Sequence, residues 1–418
     1  FSDWSSDVCS SDLSQYKDPQ TRLLQTHSKN GEPLHAHIFP IFQTSTYLFD
    51  DTQMGADLFS GKREGHMYSR MGNPTVEYFE QLVCALEGGA GTAAFGSGMG
   101  AIHSATLGLL KKGDHIISGD TLYGCTVELF GNRFKDMGIE VTFVDTGSDE
   151  EVKKAWKSNT KMVYLESPAN PTGKISDIKG IAKICHEKGA KLVVDCTFST
   201  PVFLPALELG ADVVVHSITK YINGHGDVVG GVATAKSMED IKMIKSFRKD
   251  TGSLMSPFDA FLCTRGIKTL PLRMKVHMEN GLKVAKYLES RTDKVTKVNH
   301  PGLESFPGHK VAMEQMKGFG STFSFEMKSF EAAKKLMESV KLCGLAVSLG
   351  TLDTLIEHPA SMTHAAVPEH LLKQQGLTRE LVRISVGLEN ADDIIADLKQ
   401  ALDQRSEERR VGKECRSR

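Results

Sequence analysis

The run VVVHSITKY at 213–221 begins as an apolar strand and ends on a cation, Lys220, with the glycine-rich INGHGDVVGG directly behind it. Three valines and an isoleucine suit a buried strand, whereas a lysine led inward needs a partner or a chemical task. In KLVVDCTF (191–198) an acid, Asp195, interrupts a second apolar run. A buried carboxylate calls for a cation in the same way. An interior amine can condense with a carbonyl, and an interior acid can hold a proton on a heterocycle.

The elements that must position these residues alternate from residue 75 onward. Helical TVEYFEQLVCALEG precedes strand-like GTAAF, AIHSATLGLLKKG precedes HIISG, and TVELFGNRFKDMG precedes EVTFVD. EEVKKAWKSN then precedes KMVYLES, IKGIAKICHEKG precedes KLVVDCTF, and DVVVHSI and VVGGVATA follow. Short β-rich apolar runs between helices of this length predict βαβ crossovers, hence an α/β fold with a mostly parallel sheet covered on both faces. Near 250–265 the rhythm changes. Residues 259–290 read as one long helical stretch that Pro271 should kink. STFSFEM, FEAAKKLMESV, GLAVSLG, LVRISVGLE and ADDIIADLKQAL then predict a smaller C-terminal α+β domain. The expected division is an irregular arm at 14–70, lying across the rest of the chain or another subunit, a large domain at 71–262 and the C-terminal domain at 263–404.

Ligands of open α/β sheets gather at the carboxyl ends of the strands. There the sequence places Ser97, Gly98 and Met99 in GSGMGA, Tyr123 and Cys125 in TLYGCT, Asn170 in PANPTG, Asp195, and then Ser217, Thr219 and Lys220. One ligand employs them all. A phosphate takes the helix start at 97–99 and the hydroxyls of Ser217 and Thr219. A protonated ring nitrogen pairs with Asp195, an aromatic face stacks on Tyr123, and an aldehyde condenses with Lys220. That ligand is pyridoxal 5'-phosphate (PLP). Gly96-x-Gly98-x-x-Ala101, with Asp120 about twenty residues on, also matches a dinucleotide fingerprint. A dinucleotide, however, would leave Lys220 without work.

YSRMGNPT, SGMGAI, TLYGCT, ESPANPT, VVDCTFSTP, VHSITKYINGHGD, HPASMTH and VRISVGLE together resemble the Cys/Met-metabolism group of fold-type-I PLP enzymes, in order, over residues 20–403. The resemblance implies a PLP-dependent transferase fold and the following roles. Lys220 binds the cofactor covalently, Asp195 keeps its pyridine nitrogen protonated, and Ser97, Gly98, Met99, Ser217 and Thr219 bind its phosphate. Tyr68 and Arg70 reach the phosphate of the neighbouring subunit. Tyr123 stacks on the ring and assists the leaving group. Arg383 grips the substrate carboxylate, with Asn170 and Ser348 beside it. A homotetramer of paired dimers, sharing active sites between subunits, is also implied. Within the group, YGC where relatives commonly read YGG, and SLGTLDTLIEHPASMTHAAVP, look most like methionine γ-lyase, which eliminates methanethiol from methionine. Cystathionine γ-lyase and the γ-replacing O-acetylhomoserine sulfhydrylase and cystathionine γ-synthase stay open. Arg248-Lys249 stand where many methionine γ-lyases have Lys-Asp, which leaves the supporting partner of Cys125 undefined.

Composition narrows the remaining classes. With 418 residues, 40% hydrophobic and 24% charged, the chain fits two ordinary domains. A net charge of -2 gives no broad basic field for nucleic acid. No apolar run approaches the roughly 18 residues of a membrane span, and no basic-then-apolar leader is seen, so a cytoplasmic protein acting on a small amino acid is expected. FSDWSSDVCSSDL (1–13) and RSEERRVGKECRSR (405–418) lack apolar periodicity and read as adaptor-like, non-native tails. Apart from Cys9 and Cys415, the six cysteines show no metal-ligand spacing and read as reduced thiols. The histidines of HAH (35–37) and HPASMTH (358–364) read as structural, and no metal site is expected.

Overall fold

The computed structural model describes residues 18–25, 36–365, 372 and 376–404. The two tails, with Cys9 and Cys415, lie outside them, as does His35.

The apolar runs of the large domain form seven strands: β1 (Gly91–Phe95), β2 (His115–Gly119), β3 (Glu140–Val144), β4 (Thr160–Glu166), β5 (Lys191–Asp195), β6 (Val213–Ser217) and β7 (Gly231–Ala235). They make one sheet in the order β1-β7-β6-β5-β4-β2-β3. Pairing is parallel throughout except around β7, which runs against both β1 and β6. Alternation along the strands feeds two cores. Tyr164, Val193, Val213 and Val215 pack on one face, while Val163, Leu165, Leu192, Val194 and Val214 pack on the other. Sheets covered on both sides need such near-continuous apolar strands, which is why these runs were readable.

Five more strands, β8 (Val295–Asn299), β9 (Thr322–Met327), β10 (Gly344–Leu345), β11 (Leu355–Glu357) and β12 (Leu381–Ser385), form a second sheet in the order β10-β11-β12-β9-β8. Helices Leu270–Ser290, Phe330–Ser339 and Ala391–Leu402 close its core around Phe323, Phe325, Val382 and Ile384.

The expected kink at Pro271 is absent. Residues 257–290 form two helices, Pro257–Ile267 and Leu270–Ser290, and Pro271 lies in the first turn of the second. A proline there forfeits no hydrogen bond and its fixed φ suits a helix start, so it begins a helix instead of bending one.

From residue 36 the arm is irregular apart from the helix Thr52–Phe59, and it is pinned to the helix Pro74–Glu87. Thr75 Oγ1 accepts the Phe42 amide at 2.9 Å and donates to the Pro40 carbonyl at 2.8 Å. Asn73 Nδ2 donates to the Phe42 carbonyl at 2.9 Å, while its Oδ1 caps the helix. Leu48 and Phe59 on the arm are 94% and 65% exposed. No helix among the described residues is long and apolar enough to cross a membrane.

Candidate active site

β1, β2, β4, β5 and β6 all point the same way, so their carboxyl ends share one edge of the large sheet. Ser97–Met99, Tyr123, Cys125, Asn170, Asp195, Ser217 and Lys220 all follow or end these strands. The turn carrying Lys220 is fixed from behind by buried Arg273. Its Nη1 donates to the Tyr221 carbonyl at 2.7 Å and its Nη2 to the Ile222 carbonyl at 3.1 Å.

Lys220 Nζ donates to Ser348 Oγ at 2.9 Å. Burial, with the Arg383 charge second, pushes this amine down to about 8, so the uncharged form is far more accessible near neutrality than for an ordinary lysine. Ser348 sits at φ 94°, a left-handed value uncommon for a residue with a side chain. Arg383 Nη2 holds it there by donating to the Ser348 carbonyl at 2.7 Å. Arg383 Nη1 donates to Asn170 Oδ1 at 3.1 Å and pairs with Glu357 Oε1 at 2.8 Å. Lys220 and Asn170 from the large sheet thus meet Ser348 and Arg383 from the small one.

Asp195 ends β5 one strand away from Lys220. Its Oδ1 accepts the Thr197 amide at 2.9 Å, and the Tyr164 hydroxyl lies 3.5 Å from Oδ2. Burial raises its carboxyl above the ordinary range despite the lowering pull of the Thr197 hydrogen bonds and the His216 charge, so the ionised form favours a further cation. Its neighbour Glu166 is raised by burial and then by the Asp195 charge. Glu166 is a residue the sequence reading passed over. Its Oε1 accepts the Tyr123 amide at 2.8 Å and its Oε2 the Asn170 amide at 3.2 Å, so one carboxyl positions two site residues. Tyr123, 37% exposed, is pushed up to about 12 by burial and then by its hydrogen bond with the Cys125 thiol, and keeps its proton at neutral pH.

The residues expected to hold a phosphate gather around one helix start. Ser97 Oγ caps the helix Gly98–Leu107 by accepting the Gly100 amide at 3.0 Å, and the helix start contributes the amides of Gly98 and Met99. A Cβ on Gly98 would lie 2.8 Å from Ser217 Cβ, so only glycine allows this approach. Met99 Sδ also receives the Thr126 hydroxyl at 3.9 Å. The Thr219 hydroxyl accepts the Gly230 amide at 3.0 Å and lies 3.3 Å from the Gly230 carbonyl, closing the glycine-rich loop. Tyr68 and Arg70 lie on the surface of the arm, where Arg70 Nη1 donates to the Lys249 carbonyl at 2.9 Å and its guanidinium covers the Tyr68 ring at 5.7 Å.

Asp120 and Arg248 have partners of their own within the fold. Asp120, which a dinucleotide would need, is held by Lys174 Nζ at 3.0 Å and by the Thr121 hydroxyl at 3.0 Å. Arg248 is buried, pairing with Glu80 Oε1 at 2.5 Å and donating to the Ala94 carbonyl at 2.8 Å, so it braces β1. His358 and His364 serve backbone carbonyls, at Arg379 (2.8 Å) and Leu122 (3.4 Å). His364 thereby ties the small sheet's loop to the residue before Tyr123. Thr363 donates to Glu357 Oε1 at 3.2 Å. Leu122, Tyr123, Glu166, Asn170, Arg383, Glu357, Thr363 and His364 therefore form a closed circuit crossing both sheets.

A model of the Cys/Met metabolism PLP-dependent enzymes matches residues 20–403. The chain belongs to that family. The L-methionine γ-lyase of Fusobacterium nucleatum subsp. polymorphum is 49% identical over 368 residues, 87% of this chain and 93% of its own. The cystathionine β-lyase of Lactococcus lactis subsp. cremoris is 43% identical over 386 residues, 92% and 99% respectively. The crystal structure of cystathionine γ-lyase from Lactobacillus plantarum complexed with L-serine superposes with a TM-score of 0.87 at 37% identity, covering 92% of this chain and 98% of that one. The family is PLP-dependent, and the geometry fits the cofactor. An amine lowered to about 8 and a buried acid with a raised carboxyl lie at the ends of neighbouring strands, beside a helix start narrowed to glycine at Gly98.

Proposed function

We propose that the chain catalyses α,γ-elimination of L-methionine and related sulfur amino acids such as homocysteine; methionine and water give methanethiol, 2-oxobutyrate and ammonia. The carrying observation is Tyr123, fixed by Glu166 through its amide at 2.8 Å, set two residues from the Cys125 thiol, and kept protonated at neutral pH by burial. When bound, PLP supplies an electron sink for the pair left at the substrate α-carbon. Lys220 anchors the cofactor and then, as the displaced amine, removes the α-proton, a role suited to an amine lowered to about 8. Asp195 holds the proton on the pyridine nitrogen. The amides of Gly98 and Met99, with the Ser97, Ser217 and Thr219 hydroxyls, hold the phosphate. Arg383 orients the substrate carboxylate, with Asn170 and Ser348 at its sides. Lys220, once it has passed the first proton on to the cofactor, would take a second from the β-carbon, and Tyr123 would donate one to the departing sulfur.

A cystathionine substrate is the second reading, favoured by the cystathionine β-lyase relative at 43% identity. Product analysis with methionine, cystathionine, and O-acetylhomoserine plus sulfide decides between them. Methanethiol with 2-oxobutyrate supports elimination from methionine, and a replaced γ-substituent sinks it. Cys125→Gly removes the thiol's hydrogen bond to Tyr123. At about 1 kcal/mol for such a bond, methionine turnover should fall about fivefold, with less effect on cystathionine. Equal loss on both substrates removes the reason for choosing methionine.

We assign the arm to a neighbouring subunit within a homotetramer of paired dimers, where Tyr68 and Arg70 reach the partner's phosphate. Exposed Leu48 and Phe59 support this. Arg70→Ala and Lys220→Ala chains, each inactive alone, should regain activity when mixed, since one site per pair then has both residues. Mixtures no better than their parts would exclude the shared site. Cys185, Cys196, Cys263 and Cys343, buried and outside any disulfide among the described residues, support a reducing compartment such as the cytoplasm.

A further inference from the structure

Glu357 is 1% exposed and stands directly across the β11–β12 pair from Arg383, so the strand register itself joins them. Oε1 takes both Arg383 Nη1, at 2.8 Å, and the Thr363 hydroxyl, at 3.2 Å. Oε2 is buried without a hydrogen-bond partner among the described residues. A buried carboxylate with one bare oxygen is costly to keep. Two further observations place it in the substrate's surroundings. The Arg383 guanidinium that it pairs is the same one bonded to Asn170 and Ser348, and Lys220 and Tyr123 both lie within its electrostatic reach.

We propose that Glu357 is the positioning residue of the carboxylate site: it fixes the Arg383 fork and offsets its charge, so that a carboxylate is captured firmly in orientation but reversibly in affinity. This rests on the assignment of Arg383 to the substrate carboxylate. With Asn170 and Glu357 both on Nη1 and Ser348 on Nη2, the fork cannot rotate without breaking several bonds. Its positive charge is largely neutralised by Glu357 before any ligand arrives. An arriving carboxylate therefore meets an oriented but electrically balanced pair, and the 2-oxo acid product, carrying the same carboxylate, is released rather than trapped. Burial raises the Glu357 carboxyl while Arg383 pulls it down, which fits a charge kept ionised chiefly by its partner.

The test is calorimetric titration of the PLP-loaded protein with a methylthio-substituted butyrate, which is the methionine skeleton without its amino group. Lacking the amine, it cannot condense with the cofactor, so the readout is carboxylate binding and not turnover. Glu357→Gln keeps an oxygen for Arg383 but drops the charge, and should bind the probe about tenfold more tightly. Glu357→Ala drops the brace as well and should bind it more weakly than the unaltered chain. A merely structural glutamate would not move the two variants in opposite directions. If Glu357→Gln binds no more tightly than the unaltered chain while Arg383→Ala loses the probe, the inference falls and the carboxylate assignment stands. If Arg383→Ala binds the probe normally, the assignment falls first and this inference with it. The glutamine variant keeps the test decisive should the alanine variant not fold.

Discussion

Lys220→Ala should abolish turnover while leaving a folded protein. Loss of general base catalysis alone costs about two to four decades, and the covalent anchor is lost as well. Stability should not fall, because burial already opposes the charged amine, pushing it down to about 8. Removing a buried ammonium relieves that opposition. Thermal unfolding of the cofactor-free proteins and product analysis measure the two halves of this expectation. Unaltered turnover would end the mechanism. In the unaltered chain, cofactor uptake should accelerate as pH rises through about 8, because the reactive amine is the deprotonated one. Borohydride treatment should then fix the cofactor to the peptide containing Lys220.

Asp195→Asn should separate activity from stability. Asparagine can accept the Thr197 amide as Asp195 does at 2.9 Å, but it cannot balance a protonated ring nitrogen. Breaking a buried ion pair costs roughly 3–5 kcal/mol, which is roughly two to four decades in rate. The cofactor-free protein should move the other way. The folded-state pKa of Asp195 is raised above 3.8, so its ionisation destabilises the fold, increasingly as pH climbs from 3.8 to the raised value. Above that value the penalty is constant. Asparagine carries none, and it also removes the repulsion that helps raise Glu166. The thermal midpoint of cofactor-free Asp195→Asn should therefore exceed that of the unaltered chain at neutral pH, with a gap that shrinks on acidification. Equal midpoints would show that the Asp195 charge carries no burial penalty, and retained activity would show that it balances no ring nitrogen.

Residues with a chemical oddity were legible in the sequence; residues whose work depends on a distant partner were not. Lys220 and Asp195 stood out because an apolar strand around a charge is locally inconsistent. Glu166 was just as anomalous at the end of KMVYLE, yet its task is to receive amides from Tyr123 and Asn170, which only the fold reveals. Glu357 needed the antiparallel register with Arg383, and β11 is only three residues long. β8 escaped because Thr296 and Lys297 are exposed in its middle and blur the alternation. The helix Met238–Thr251 is largely polar, with only Asp240, Ile241, Ile244 and Arg248 buried, and two of those are charges, Asp240 paired to Lys191 and Arg248 to Glu80. Pro271 was misplaced because a proline reads as a break until the end of the preceding helix, Ile267, is known.

Lys220, Asp195 and the Gly98 turn belong to the seven-stranded sheet, whereas Ser348, Glu357 and Arg383 belong to the five-stranded one and its connections. Mutational drift in the five-stranded sheet would therefore act first on the carboxylate side of the proposed site, with Ser348, which bonds Lys220 Nζ, as the exception that also touches the amine.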